Sequence, residues 1–173
     1  TFYQRVASTD TAPFGYSSEG VEIKTDKAEN GNTPPAPTVN SITSNTITLK
    51  VVVGCEYSKD GINWQTSPVF SGLSIVTEYT FYMRYAETEI SYASDKGKGL
   101  VVKTDKGIPS TPSAPTVLEK MYNKVILVAR EGYEYSRDGV NWQKSNIFTG
   151  LDSNTNYIFF CRMAENDSYY ASA

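Results

Sequence analysis

The chain contains no histidine, which removes the side chain most often used as a general base and as a zinc or copper ligand. Its acidic pairs, Glu56 with Asp60 and Glu87 with Glu89, are spaced for opposite or neighbouring positions on strands. A glycosidase instead needs two carboxylates roughly 5–10 Å apart across a cleft. We therefore expect neither catalysis nor a cofactor.

Two turns rich in acidic and amide side chains, residues 152–154 and 165–167, are the best candidates for a calcium site. Neither resembles a dedicated loop with alternating oxygen ligands. Turn residues of these types commonly cap their own backbone. We therefore expect no metal site.

Aromatic residues at recurring positions are the strongest candidates for ligand binding, because flat rings can stack on pyranose rings. These candidates are Trp64, Trp142, Tyr82, Tyr92 and Tyr170. The other interpretation is that both tryptophans cover a small core or a junction between modules. Exposed tryptophans would favour binding, and buried ones would favour packing.

Composition excludes several partner classes. A net charge of −3 without a basic stripe argues against nucleic acid and against an anionic membrane surface. No run of about 18 apolar residues is present, so we expect no membrane span. Cys55 and Cys161 occupy different positions in their modules, so neither module can form an internal disulfide, and we expect two buried thiols.

These features belong to an internal repeat. Residues 35–95 align without a gap with residues 113–173, so that Trp64 matches Trp142 at a spacing of 78 residues. Residues 1–27 match residues 80–106. A tandem array of small modules favours a structural or binding role over catalysis. The predicted organisation is a partial repeat at 1–27, a linker at 28–34, a module at 35–106, a linker at 107–112 and a module at 113–173.

Within each module the patterns predict β-strands. One strand should turn three alternating residues inward: Ile47, Leu49 and Val51 in the first module, and Val125, Leu127 and Ala129 in the second. A later strand should turn four inward: Tyr79, Phe81, Met83 and Tyr85, or Tyr157, Phe159, Cys161 and Met163. Between them, Asp60-Gly61 predicts a tight hairpin. Arg84 and Arg162, with Arg5 in the partial repeat, should face outward and form a cross-strand ion pair or stack on a tyrosine.

The segments Leu73-x-x-x-Thr77-x-Tyr79 and Leu151-x-x-x-Thr155-x-Tyr157 resemble the fibronectin type III family. This resemblance implies tandem immunoglobulin-like (fibronectin type III-like) β-sandwiches of seven strands, lettered A, B, C, C′, E, F and G. It also implies that each tyrosine hydroxyl hydrogen-bonds to nearby backbone, forming a tyrosine corner.

The motif Glu-Tyr-Ser-x-Asp-Gly-x-Asn-Trp-Gln, present in both modules, is similar to repeats in large surface proteins of Gram-positive bacteria. That resemblance implies an extracellular or cell-surface location and a spacer role among neighbouring modules of a larger chain. The alternative is an adhesin module that uses the recurrent aromatic residues to bind polysaccharide or a host or cell-wall protein.

The partial repeat supplies only a hairpin, and the last module ends before its final strand, so we expect the sequence to be a fragment. An isolated hairpin is marginally stable, and an incomplete sandwich exposes a strand edge. One hypothesis is strand exchange, in which residues 1–27 complete the last module of another copy. The alternative is a permuted frame, in which the natural folding unit begins at strand F.

Overall fold

The structure, a computed structural model, describes residues 2–4 and 19–173 and is built from antiparallel β-strands. The first module contains β1 (Val39–Ile42), β2 (Ile47–Leu49), β3 (Cys55–Ser58), β4 (Val69–Phe70), β5 (Glu78–Tyr85) and β6 (Leu100–Lys103). The second contains β7 (Val117–Lys120), β8 (Lys124–Leu127), β9 (Tyr133–Ser136), β10 (Ile147–Thr149) and β11 (Phe160–Met163). No helix able to cross a membrane occurs in this described part of the chain.

The first module consists of two three-stranded sheets, ordered β1-β2-β4 and β3-β5-β6. Its core is apolar and is drawn from strands of both sheets and the turns beside them: Ile47, Leu49, Cys55, Tyr57, Phe70, Leu73, Phe81, Met83 and Val102. The rings of Phe70 and Phe81 pack with their centroids 4.8 Å apart. Alternation along β2 and β5 therefore builds the core that the sequence pattern predicts.

The second module repeats the first sheet as β7-β8-β10, but its other sheet has only β9 and β11. Its buried cluster is smaller: Leu127, Tyr135, Phe148 and Leu151. Phe148 and Phe159 keep the ring contact seen in the first module, with centroids 4.8 Å apart.

Of the three residues at β2 that were predicted to face the core, two do so. Ile47 and Leu49 are buried, whereas Val51 is 73% exposed because β2 ends at Leu49. The N–H of Val52 donates to the Tyr57 hydroxyl at 2.6 Å, which holds the chain in a turn. The prediction fails in the same way at Ala129, which is exposed beyond the end of β8.

The predicted inward face of the later strand is confirmed in the first module, where Phe81 and Met83 are buried and Tyr79 and Tyr85 pack against them. In the second module Tyr157, Phe159 and Cys161 pack on the core while remaining partly exposed. Of the two predicted buried thiols, only Cys55 is buried, and this burial raises its pKa.

Both tyrosine corners are present. The N–H of Ser74 donates to the Tyr79 hydroxyl at 2.9 Å, and the N–H of Asp152 donates to the Tyr157 hydroxyl at 2.9 Å. Because each bond spans five residues, it ties the start of the long strand to the preceding turn.

No separate C′ strand forms among the described residues. Its place is taken by a single antiparallel bridge between Tyr57 and Gln65, which recurs between Tyr135 and Gln143. The Gln65 side chain then donates to the carbonyl oxygens of Ser67 and Val69, at 2.7 and 2.9 Å. The chain is thereby directed into β4 before a further ladder can develop.

Candidate functional site

The hairpin after β3 is held by side chains that cap its own backbone. The Ser58 hydroxyl accepts the N–H groups of Asp60 and Gly61 at 3.2 and 2.8 Å. The Asp60 carboxylate accepts the N–H groups of Ile62 and Asn63 at 2.8 and 2.7 Å. Gly61 takes the positive φ of 72° that the turn requires. The second module repeats this hairpin with Ser136, Asp138 and Gly139.

Hydrogen bonding changes the acidity of these turns. Donation from the Asn63 side chain, followed by the N–H groups of Asn63 and Ile62, holds the pKa of Asp60 well below its usual range. Asn141 and Val140 do the same to the pKa of Asp138. Both carboxylates are therefore engaged in turn structure and ionised, which does not suit a proton donor.

Trp64 lies at the end of this hairpin, and Arg84 of β5 covers one of its faces. The guanidinium carbon of Arg84 is 4.4 Å from the ring centroid. Glu56, the registered partner of Arg84 on β3, accepts its Nε and Nη2 hydrogen bonds at 3.0 and 2.9 Å. The result is a carboxylate–guanidinium–indole stack on the outer face of the β3-β5-β6 sheet.

The second module repeats this stack. Arg162 lies 4.2 Å from the ring centroid of Trp142 and donates to Glu134 at 3.3 Å from both Nε and Nη2. The expected cross-strand ion pair is therefore present in both modules. The other expected contact was stacking on a tyrosine; the ring beside each arginine is a tryptophan, which the hairpin brings above it. Arg5 lies outside the described residues.

The remaining candidate aromatic residues do not form one surface with the tryptophans. Tyr82 lies on β5, and the ammonium group of Lys96 is 4.8 Å from its ring centroid. Tyr92 and Tyr170 lie instead in the loops after β5 and β11, where the preceding segment of chain is attached. The five candidates therefore divide into a sheet-face group and a junction group.

The junction group lies at two equivalent contacts, each of which we name a joint. In a joint, the residue that follows a Thr-Asp-Lys triplet pairs with a loop of the module that comes next in the chain. At the first joint, Ala28 donates to the carbonyl of Ile90 and accepts from the N–H of Tyr92, both at 2.9 Å. Lys27 also forms an ion pair with Glu87 of the same loop.

The second joint has the same parts. Gly107 donates to the carbonyl of Ser168 and accepts from the N–H of Tyr170, both at 2.9 Å. Lys106 forms an ion pair with Glu165 at 2.7 Å and lies 5.7 Å from the ring centroid of Tyr170. Both joints are parallel β-bridges, Ala28 to Ser91 and Gly107 to Tyr169.

Sequence reasoning missed the joint, although a signal for it existed. Ala28 faces Ser91, whereas Gly107 faces Tyr169. A Cβ on Gly107 would lie 2.7 Å from the Tyr169 ring, so the larger partner is matched by the absence of a side chain. This paired change of a small and a large residue between the repeats is typical of two positions in contact.

Of the two turns considered for calcium, the one at residues 165–167 caps its own backbone, whereas in the one at residues 152–154 the N–H of Asp152 donates to the Tyr157 hydroxyl. The Asn166 side chain accepts the N–H groups of Ser168 and Tyr169, both at 2.9 Å. Among residues 2–4 and 19–173, no group of three or more histidine, cysteine or acidic side chains is placed to hold a metal ion.

No family model matches the chain, and no curated protein is significantly similar to it. Among solved structures, it is similar to the crystal structure of chicken CNTN1 FN1-FN3 domains, which are tandem fibronectin type III domains. The TM-score is 0.34 at 15% identity, and the match covers 98% of this chain and 73% of that chain. The all-β class follows from the strand pairings of the chain itself, independently of this similarity.

Proposed function

We propose that the chain is a non-catalytic spacer: a tandem array of fibronectin-like modules in an extracellular or cell-wall-attached bacterial protein. Its role is to hold neighbouring domains at a set distance and orientation. The proposed bacterial origin and extracellular location rest on the resemblance of the motif Glu-Tyr-Ser-x-Asp-Gly-x-Asn-Trp-Gln to repeats in bacterial surface proteins.

The observation that carries the proposal is the recurrence of the joint. Two main-chain hydrogen bonds and a Lys–Glu ion pair connect each module to the segment before it, at equivalent positions. A parallel bridge restricts rotation about the connection, whereas a free polar linker would allow it. The ion pairs are partly exposed and contribute little on their own, so the main-chain bonds must set the geometry.

The arrangement of the tryptophans also supports a structural role. One face of each indole carries a guanidinium that is itself held by a glutamate. A pyranose stacking on that face would have to displace the arginine from both partners. The adhesin alternative therefore needs the opposite indole faces, or the tyrosines Tyr82, Tyr92 and Tyr170, to do the binding.

The joint can be tested by ¹⁵N relaxation of the whole chain. We expect both modules to share one rotational correlation time. Gly107→Pro removes the N–H that donates to Ser168, so this variant should make the modules tumble separately. Ser110→Pro adds a proline at an exposed position of the same linker and should leave the tumbling unchanged. Separate tumbling of the unmodified chain, or no effect of Gly107→Pro, would contradict the proposal.

The adhesin alternative is tested by titrating the chain with plant, mucin and cell-wall polysaccharides while recording tryptophan fluorescence. The spacer proposal expects no saturable change. Saturable binding that is lost in Trp64→Ala or Trp142→Ala would replace the spacer with the adhesin.

A further inference from the structure

The sheet β1-β2-β4 of the first module ends at β4, whose outer side pairs with no strand among the described residues, and β10 holds the same place in the second module. Backbone groups along β4 alternate in direction. The carbonyl of Pro68 accepts the N–H of Leu49 on β2 at 3.0 Å, so the N–H and C=O of Val69 point away from the sheet. An outer edge of this kind can pair with a strand of another module or another molecule.

Side chains of the same module bind these outward backbone groups. The N–H of Val69 donates to the Ser67 hydroxyl at 3.2 Å. The side-chain amide of Gln65 donates to the carbonyl oxygens of Val69 and Ser67, at 2.9 and 2.7 Å. We name this pair of side chains, Gln65 and Ser67, the edge cap. It gives both backbone polar groups of Val69 a partner within their own module.

The second module has the same edge cap, made by Gln143 and Ser145. The N–H of Ile147 donates to the Ser145 hydroxyl at 3.2 Å. Gln143 donates to the carbonyl oxygens of Ile147 and Ser145, at 3.0 and 2.8 Å. All four cap side chains are exposed, so core packing does not require them. The residue between them changes from Thr66 to Lys144, whereas the cap itself is kept.

Two common protections of a sheet edge, charged side chains and a proline that removes an outward N–H, are missing here. Residues 67–71 and 145–149 contain no charged side chain. Pro68 lies at an inward position, on the side of β2. Val69 and Ile147 are β-branched and 44% and 43% exposed, which favours pairing with another strand.

The opposite edge of the same sheet is protected in a different way. β1 and β7 each have a register shift against the neighbouring strand, between Val39 and Ser41 and between Val117 and Glu119. Such a bulge bends and twists an edge strand away from flat pairing. β4 and β10 pair with their neighbours without a shift. Both are short, so a new ladder would have few hydrogen bonds, and the edge cap engages the backbone groups that would form them.

We propose that the edge cap prevents β4 and β10 from pairing with the equivalent strands of neighbouring modules or of other copies of the chain. A tandem array holds similar edges at high local concentration, and misassembly between modules is a characteristic failure of repeat proteins. Without the cap, Val69 of one module could exchange two main-chain hydrogen bonds with Val69 or Ile147 of another in an antiparallel ladder. The inference depends on the two capped edges and not on the spacer role.

The test is to remove both caps and measure association. Gln65→Ala with Gln143→Ala frees the capped carbonyl oxygens in both modules. In sedimentation velocity from about 1 to about 300 μM, this variant should associate at least about tenfold more tightly than the unmodified chain. The amides of Val69 and Ile147 should also exchange with solvent more slowly at the highest concentration than at the lowest, because pairing protects them.

Two matched variants separate edge pairing from other effects. Gln65→Lys with Gln143→Lys keeps a hydrogen-bond donor and adds a charge at each edge, so it should associate no more tightly than the unmodified chain. Ser71→Ala with Thr149→Ala changes exposed side chains at the same edges without altering the cap. It should also associate like the unmodified chain.

If circular dichroism shows that the alanine variant is unfolded, Ser67→Ala with Ser145→Ala replaces it. This change frees one N–H in each module and should tighten association at least about threefold. The proposal is overturned if the folded variant associates no more tightly than the unmodified chain, or if the lysine variant associates as tightly as the alanine variant. Faster exchange of the Val69 and Ile147 amides on association would also overturn it, because association would then proceed through unfolding.

Discussion

The two modules share their turns but differ at one edge. Each has the serine–aspartate hairpin, the tyrosine corner and the arginine over a tryptophan. The first has β6 along β5, and nine apolar residues form its buried cluster. The second has no described strand at that edge, and four residues form its buried cluster.

The same edge sets the length of the neighbouring strand. In β5, residues 78–81 pair with β6 and residues 82–85 pair with β3. β11, Phe160–Met163, contains only the half that pairs with β9. Residues 156–159 have nearly the same apolar pattern as 78–81 and yet are not in a strand, which shows that the partner strand decides the secondary structure here.

This difference separates two kinds of stabilisation. The hairpins depend on side chains two or three residues from the N–H groups they bind, so they form alike in both modules. Core burial depends on a strand that is 19 or more residues away in sequence, such as Leu100 opposite Phe81, so it differs between them.

The largest expected effect tests core burial. Phe81→Ala should lower the free energy of unfolding of the first module by about 3–5 kcal/mol, because the ring is fully buried. Phe159→Ala should cost the second module about 1–3 kcal/mol, because its ring is already partly exposed. Each module contains one tryptophan, so urea unfolding followed by fluorescence reports on one module when the tryptophan of the other is replaced by phenylalanine in every chain compared.

The milder pair Phe81→Leu and Phe159→Leu serves if either alanine variant fails to fold. Equal decreases in the free energy of unfolding of the two modules would show that β6 does not increase the burial of the first core.

An intermediate effect tests the shared hairpin. Ser58→Ala and Ser136→Ala each leave two backbone N–H groups without their acceptor, and both serines are fully buried. The free energy of unfolding of each module should fall by about 1–3 kcal/mol, and the decrease should be the same in both. Ser71→Ala, at an exposed position just after β4, should change stability by less than about 0.5 kcal/mol. Unequal losses at Ser58 and Ser136 would mean that the edge strand also supports the hairpin.

The smallest effect concerns pH, because the carboxylates involved are exposed and screened by solvent. The pKa values of Asp60 and Asp138 are lowered in the folded chain, mainly by Asn63 and Asn141. Their contribution to stability is therefore present above the unfolded pKa of about 3.9 and is lost as the pH falls below it.

Both modules should lose this contribution equally in unfolding curves recorded between about pH 6 and about pH 2.5. Asp60→Asn keeps an acceptor in the turn while removing the charge, and should remove this part of the pH dependence from the first module alone. A second module that changed with it would show that the two hairpins are coupled.

Much of the local structure could be predicted from the sequence. The Asp-Gly pairs predicted the hairpins, and the alternation of apolar residues predicted the buried face of β5. The resemblance of the Thr-x-Tyr segments to the fibronectin type III family predicted the tyrosine corners. The prediction failed at Val51 and Ala129. There the strand has already ended in a turn whose N–H, from Val52 or Arg130, donates to the hydroxyl of a tyrosine five residues further along the chain.

The candidate site was predicted only in part. Trp64 and Trp142 recur as expected, but their contact with Arg84 and Arg162 depends on how the hairpin folds back over the sheet. Tyr92 and Tyr170 were grouped with them on residue type alone. The structure places these tyrosines at the joints, where the backbone N–H of each donates to Ala28 or Gly107 and the ring of Tyr170 also lies near Lys106.

The sequence by itself determined the repeat, the all-β class and the turns, because each depends on periodicity or on residues close together in the chain. Only the tertiary structure decided the joints and the tryptophan–arginine stacks. Each of these joins backbone or rings across long separations, from Lys106 meeting Glu165 to Ala28 meeting Tyr92. Main-chain hydrogen bonds leave almost no trace in side-chain identity, so such contacts become visible only when the chain is folded.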